Sequence, residues 1–278
     1  MGIVFALLSS LTWGTSDFFG GLATRARSAA AVTGWSQACA FVVVSVAALL
    51  VRPEVSGWSW LVYAASAGLC GVAGLLCFYT ALAQGTMGVV SPIASMGALV
   101  PVGIGLAMGE RPGAVTWLGV VVALVGVVLA SGPELSGAVS PRPVLLAVAS
   151  ALFFGFTLFL LNRGAQASPL LTVWGMRAAS VTLFVGAALV LRSVGGVGTR
   201  EVPGLAAIGV GDLAANFFFG TASRIAGDSL AVVTVLGSLY PVMTILLARA
   251  ILGERLRRVQ QAGVLLALVG AAVISLRP

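Results

Sequence analysis

The chain has 278 residues, 59% of them hydrophobic and only 8% charged, with a formal net charge of +7; its mean hydropathy is +1.11. A soluble domain carries about 25% charged residues, so this chain lacks the polar groups to cover a globular surface and lipid has to be its solvent. All fifteen basic residues are arginines and histidine is absent; the arginines sit at the ends of apolar runs, which fits interfacial anchoring rather than a nucleic-acid face.

A helix needs about 20 residues to cross the hydrocarbon core. Apolar runs of that kind are predicted near 2–24, 31–51, 58–82, 86–108, 113–131, 143–163, 169–191, 203–223, 229–252 and 258–276. The first lacks a basic leader and a small-residue cleavage pattern, so it reads as a transmembrane helix and not as a signal peptide. Arg25 and Arg27 separate the first two spans, Arg52-Pro53-Glu54 ends the second, and Gly132-Pro133-Glu134 through Pro143 is the longest polar seam. Span four carries Pro92 and Pro101, and span nine carries Pro241. Each proline removes a donor and releases the carbonyl four residues back, here those of Gly88, Gly97 and Gly237. At membrane depth such carbonyls persist beside a cavity or packed protein. Glycine, at 36 residues, lets helices approach closely in lipid.

The two halves repeat. Trp13-Gly14 falls on Phe154-Gly155, Gly34 on Gly175, Gly68 on Gly209 and Thr80-Ala81 on Thr221-Ala222, all at a spacing of 141. Gly109-Glu110-Arg111 falls on Gly253-Glu254-Arg255, and Leu124-Val125-Gly126 on Leu268-Val269-Gly270, at 144. A run of matches in the same order is an internal duplication. It divides the chain into a first five-helix repeat (1–131), an inter-repeat loop (132–142) and a second five-helix repeat (143–278). Five is odd, so the second copy enters the membrane from the opposite side. The expected fold is an all-α integral membrane protein of ten transmembrane helices in two inverted repeats, the architecture of secondary transporters.

Few polar groups lie inside the spans. Asp17 shares a helix face with Trp13, four residues earlier, and Asp212 lies one turn before Asn216. A carboxylate at the centre of a span costs roughly 2.5–3.5 kcal/mol on insertion scales, and proton relays and cation sites are built from such groups. The repeat mates of Asp17, Asp212 and Asn216 are Leu158, Gly71 and Leu75, so each polar group belongs to one half only. The alternative for Asp212 is a structural pair with Arg177 of span seven. Ser91 and Ser95 sit one turn apart in span four, as do Thr234 and Ser238 in span nine; backbone bonding is the commoner fate of such residues. Tyr79 and Tyr240 can line a cavity or an interface, while Gln37 and Arg177 read as structural. The candidate substrate or coupling set is therefore Asp212, Asn216, Asp17, Trp13, Tyr79, Ser91, Ser95, Thr234 and Ser238, with helix breaks at Pro92, Pro101 and Pro241.

Cys39, Cys70 and Cys77 lie in apolar runs without metal-ligand spacing, so no metal is expected, and no cofactor either. No HExxH, Walker loop or Gly-x-Ser-x-Gly is present, so an enzyme is not expected and ATP does not drive transport on this chain.

The Trp13-Gly14, Ser91-Pro92, Pro101, Pro241 and repeated Gly-Glu-Arg motifs, with the duplication, make the chain resemble an EamA-type member of the drug/metabolite transporter superfamily. That resemblance implies a multi-pass protein of the bacterial inner (plasma) membrane, efflux or uptake of small metabolites, a cavity between the repeats and cytoplasmic termini. The arginine distribution by itself favours the opposite orientation. The expected partners are a small-molecule substrate, a proton in a coupling role and the lipid bilayer, with no nucleic acid. Oligomeric state, substrate identity and direction leave no signature in the sequence. The competing reading is a lipid flippase or a membrane scaffold without solute transport.

Overall fold

The computed structural model describes residues 1–55, 57–100, 104, 113–135, 141–226, 236–237 and 239–275. Among them no strand occurs, and the α-helices, in chain order, are α1 (Gly2–Ala23), α2 (Ala29–Val51), α3 (Ser59–Gln84), α4 (Met87–Ser95), α5 (Ala114–Leu135), α6 (Arg142–Ala165), α7 (Pro169–Leu191), α8 (Val202–Ala226), α9 (Tyr240–Leu252) and α10 (Arg258–Ser275). Five of these, α2, α3, α6, α7 and α8, are long and apolar enough to cross a membrane. Their outward faces agree with lipid as solvent: Val42, Val46, Leu49 and Leu50 of α2 and Leu183, Val185, Leu189 and Val190 of α7 are all exposed. In water such faces would be an aggregation hazard.

The expected helix four is interrupted. α4 gives way after nine residues to a 3-10 turn, Met96–Ala98; Pro101 lies outside the described residues. The proline of span nine plays another part than a mid-helix kink. Leu236 and Gly237 are helical, Leu239 is in a turn, and regular helix resumes at Tyr240, which puts Pro241 in the first turn of α9. There its missing N–H has no intrahelical partner to lose. α5 also reaches Leu135, further than the polar Gly132-Pro133-Glu134 suggests.

The duplication is visible in the ends of the helices. Ser28 caps α2 by accepting from Ala31 N–H at 3.2 Å, and Ser168 caps α7 by accepting from Leu171 N–H at 3.3 Å. α2 then ends on Arg52 (φ 47) and α7 on Arg192 (φ 49), both left-handed. A non-glycine residue rarely takes that conformation, so its recurrence at the same place in both halves marks a shared backbone plan.

It is equally visible in the packing, which is dominated by contacts between halves. α3 packs on α6 as α8 packs on α1; α3 on α7 as α8 on α2; α1 on α9 as α6 on α4. The pairs α2–α7, α4–α9 and α5–α10 each join a helix to its own counterpart. Glycines make the close approaches possible. The Cα of Gly14 faces the Tyr240 carbonyl, and that of its mate Gly155 faces the Gly97 carbonyl. Gly68 faces Met176 O, and its mate Gly209 faces Ser36 O. A Cβ at any of the four would collide with backbone, so the Gly of the Trp-Gly and Phe-Gly motifs is there for contact.

Candidate functional site

These crossings enclose a cavity of about 70 Å³, room for several waters or a small solute. Its walls include Trp13 and Asp17 of α1, Phe154 and Leu158 of α6, Gly71 and Leu75 of α3, and Asp212 and Asn216 of α8. In sequence these are four pairs at the repeat spacing of 141: 13 with 154, 17 with 158, 71 with 212, and 75 with 216. The cavity therefore sits on the boundary between the halves, and one member of each pair is apolar.

Asp212 is buried and heavily engaged. Its Oδ2 accepts from Arg177 Nη2 at 2.9 Å and from Gln37 Nε2 at 3.2 Å. Its Oδ1 accepts from Asn216 Nδ2 at 3.0 Å and from Trp13 Nε1 at 3.2 Å. Arg177 Nη1 donates to Gln37 Oε1 at 2.7 Å, and Asn216 Nδ2 also donates to the Asp212 carbonyl at 2.7 Å. This network joins α1, α2, α7 and α8, so Asp212 has the structural pairing weighed for it from sequence. A buried ion pair of this kind repays its desolvation only when its remaining lone pairs and protons are bonded, which Gln37, Asn216 and Trp13 do here for the carboxylate.

Asp17 differs. It is only 5% exposed, and it accepts no hydrogen bond from any of the described residues. It shares the cavity wall with Asp212, and Arg177 is the one guanidinium among the described residues lining that cavity. Ionised together, the three groups carry one negative charge in excess. Around them stand aromatic rings: Trp13 packs at 5.6 Å from Phe219 and 6.4 Å from Tyr240, and the Tyr240 hydroxyl is buried with no partner among the described residues.

The other sequence candidates divide. Ser95 lines the cavity but its hydroxyl donates to Pro92 O at 2.7 Å. Ser91 is fully buried in α4, away from the cavity wall, and Pro92 lies inside that helix. Tyr79 packs in the core against α1, its ring where a Cβ on Gly20 would lie. Thr234 and Ser238 lie outside the described residues. Gly97 and Gly237, whose carbonyls the sequence marked as released by proline, both line the cavity. Gln37 and Arg177 belong to the network rather than to bundle packing alone, and Phe154, Leu158 and Gly71 belong to the wall; the repeat alignment could have pointed to these three as mates of Trp13, Asp17 and Asp212.

A family model for EamA-like transporters matches residues 1–132 and again residues 141–276. The chain belongs to the EamA-like transporter family. Membership points to a multi-pass membrane protein that transports small solutes, in a family of transporters and not enzymes. No curated relative matches the sequence. A solved crystal structure is similar to this EamA-like chain with a TM-score of 0.68 at 19% identity, over 98% of this chain and 95% of its own; at that identity the likeness concerns the fold alone.

The EamA-like chain has a second polar cluster, at the end of the bundle where α1 finishes. Arg27 donates from Nε and Nη2 to the two Glu201 oxygens, both at 2.8 Å. The hydrogen bonds from Arg27, and then the Gly198 N–H, hold the Glu201 carboxyl below its ordinary range; the same carboxylate holds the Arg27 guanidinium above its own. Both side chains are more than a third exposed, so water screens the pair and its contribution is small.

Proposed function

We propose that this protein is a secondary carrier of a small solute in the cell inner membrane, working by alternating access between two inverted five-helix repeats, 1–131 and 143–278, joined by the loop 132–142. Ten transmembrane helices follow, with both termini in the cytoplasm. The observation that carries the reading is the cavity between the halves, walled by repeat-related positions that are polar on one side and apolar on the other. The reciprocal helix pairs support a pseudo-two-fold relation between the halves, and an odd number of spans per repeat makes that relation an inverted one. Solutes in such carriers bind near the midplane between repeats.

The coupling residue in this reading is Asp17, with the network of Asp212, Arg177, Gln37, Asn216 and Trp13 holding the wall beside it. One excess carboxylate beside a fixed ion pair favours a site that takes a single positive charge, either a proton or a solute cation. Ser95 and the residues Thr234 and Ser238 complete the candidate set on the arms of spans four and nine.

Proteoliposomes test this directly. The expected result is solute flux that responds to an imposed pH gradient, with Asp17→Asn retaining fold and insertion but losing the gradient response. Flux that ignores the gradient in the parent protein removes coupling and leaves the carrier. Absence of flux for small solutes of every charge class, together with lipid movement between leaflets, establishes the flippase reading instead. A reporter fused after Pro278 gives the orientation, cytoplasmic in this reading.

A further inference from the structure

The Gly-Glu of the repeated Gly-Glu-Arg motif has no part in the cavity, yet the structure gives both residues a specific task. Gly253 ends α9 in the left-handed conformation (φ 67), and the N–H groups of Gly253 and Glu254 both turn back to Ala248 O. Such a reversal favours glycine at that place. It delivers Glu254 to the start of α4, where Oε1 accepts from Met87 N–H at 3.3 Å and Oε2 from Gly88 N–H at 3.2 Å. The N-cap residue Thr86 makes no capping bond with its own side chain. A carboxylate at a helix N-terminus satisfies two donors that have no intrahelical partner and complements the helix dipole. Arg25, just beyond α1, stands 3.6 Å from the same Oε1, and Leu256 packs on Gly88.

One side chain thus ties the end of α1, the start of α4 and the end of α9, across the boundary between the halves. We infer that Glu254 is a releasable latch holding this end of the bundle shut, with α4 as the lever it releases. α4 has only nine residues before the 3-10 turn, and its far end carries Ala94 and Ser95 onto the cavity wall, followed by Gly97. Movement of its start therefore reaches the cavity directly. The bonds at 3.2–3.3 Å and the 3.6 Å ion pair are looser than the 2.8 Å pair of Arg27 with Glu201 beside them, and long charged contacts are the weaker ones. The latch rests on the carrier reading for its purpose, but its opening is measurable without any solute.

The test is thiol accessibility in the detergent-purified full-length protein. Cys39, Cys70 and Cys77 are replaced by Ala, and Val90→Cys, at a fully buried position one turn into α4, reports on that end through its rate of reaction with a polar maleimide. Glu254→Gln is expected to raise that rate about tenfold, the population shift that follows from losing charge-assisted bonds of this type. Arg25→Gln, which removes the ion pair and keeps the cap, is expected to raise it about twofold. A second reporter, Ala222→Cys, buried in α8, is expected to react at the parent rate in both. An unchanged rate at position 90 overturns the latch, and so does a parallel rise at position 222, which signals general loosening. If Glu254→Gln does not purify as a folded protein, Glu254→Asp, with the charge kept and the reach shortened, carries the same expectation. Failure here leaves solute flux untouched, whereas absence of flux with a tenfold rise at position 90 sinks the carrier and keeps the latch.

Discussion

The two halves of this molecule share their joints and differ in their lining. Where helices cross, the same residue recurs: Gly14 and Gly155, Gly68 and Gly209, each against a carbonyl of the other half. Where the same helices face the cavity, the pairs have diverged: Trp13 against Phe154, Asp17 against Leu158, Asp212 against Gly71, Asn216 against Leu75. Packing constrains both copies alike, because the contact of α1 with α9 is repeated by α6 with α4. The lining has no such constraint, since a single charge can serve a cavity that both halves enclose. A duplicated fold thus keeps its joints identical and is free to specialise its walls.

The largest effect expected from breaking this arrangement is at Arg177. Replacing it by Met leaves the Asp212 carboxylate buried beside Asp17 with no cation, and removal of one partner of a buried pair costs about 3–5 kcal/mol. Folded yield and thermal stability in detergent should both fall. The double variant Arg177→Met with Asp212→Leu removes both charges and should recover most of that loss. A double variant no better than the single one would show that Arg177 acts through something other than its partner. By the same argument Asp212→Asn strands the guanidinium and should destabilise, whereas Asp17→Asn should not.

Next in size are the joints. Gly14→Ala and Gly155→Ala each place a methyl against backbone of the facing helix, and overpacking of this kind costs about 1–3 kcal/mol. The two losses should be similar, because the contacts are repeat-related. Gly71→Ala is the contrast: the nearest atoms to its Cβ are those of Thr157 at 3.8 Å. It should fold as the parent does and affect only solute flux, through the cavity it lines. Unequal losses at 14 and 155 would break the equivalence of the joints.

Much of this was legible in the sequence. Outside spans four and nine, apolar run lengths located the helices to within a few residues, since the bilayer sets that length, and the glycine matches revealed the duplication because close approach tolerates no side chain. The pairing of Asp212 with Arg177 was visible as a possibility, because a buried charge needs a partner. Its further bonds from Gln37 and Trp13 were not, since they depend on how four helices cross, and periodicity along one helix carries no information about its neighbour's rotation. For the same reason Tyr79 and Ser91, polar and inside spans, read as candidates although they pack within helix contacts and do not line the cavity. Pro241 marked a place where the helix is interrupted without giving its form: a proline in the first turn of a helix and one in mid-helix look alike until the start is known.

The smallest expected effect sharpens the comparison at the ends of the bundle. Ser28 and Ser168 cap equivalent helices, so Arg27 has Ala167 at its place in the other half and Glu201 has Trp60; this ion pair has no counterpart there. Its pH dependence has a definite sign. Glu201 is held below its ordinary range in the folded protein, chiefly by the hydrogen bonds from Arg27. The folded state therefore binds that proton less readily than the unfolded chain. The pair's stabilisation is fully present above the ordinary glutamate range and is lost as pH falls through the lowered folded value. Arg27 stays charged throughout and adds no slope. The melting temperature of the parent minus that of Arg27→Gln should thus be small and positive at about pH 7 and shrink as pH falls below the ordinary glutamate range. A difference that grows on acidification would mean that Arg27 stabilises this end through a partner other than Glu201.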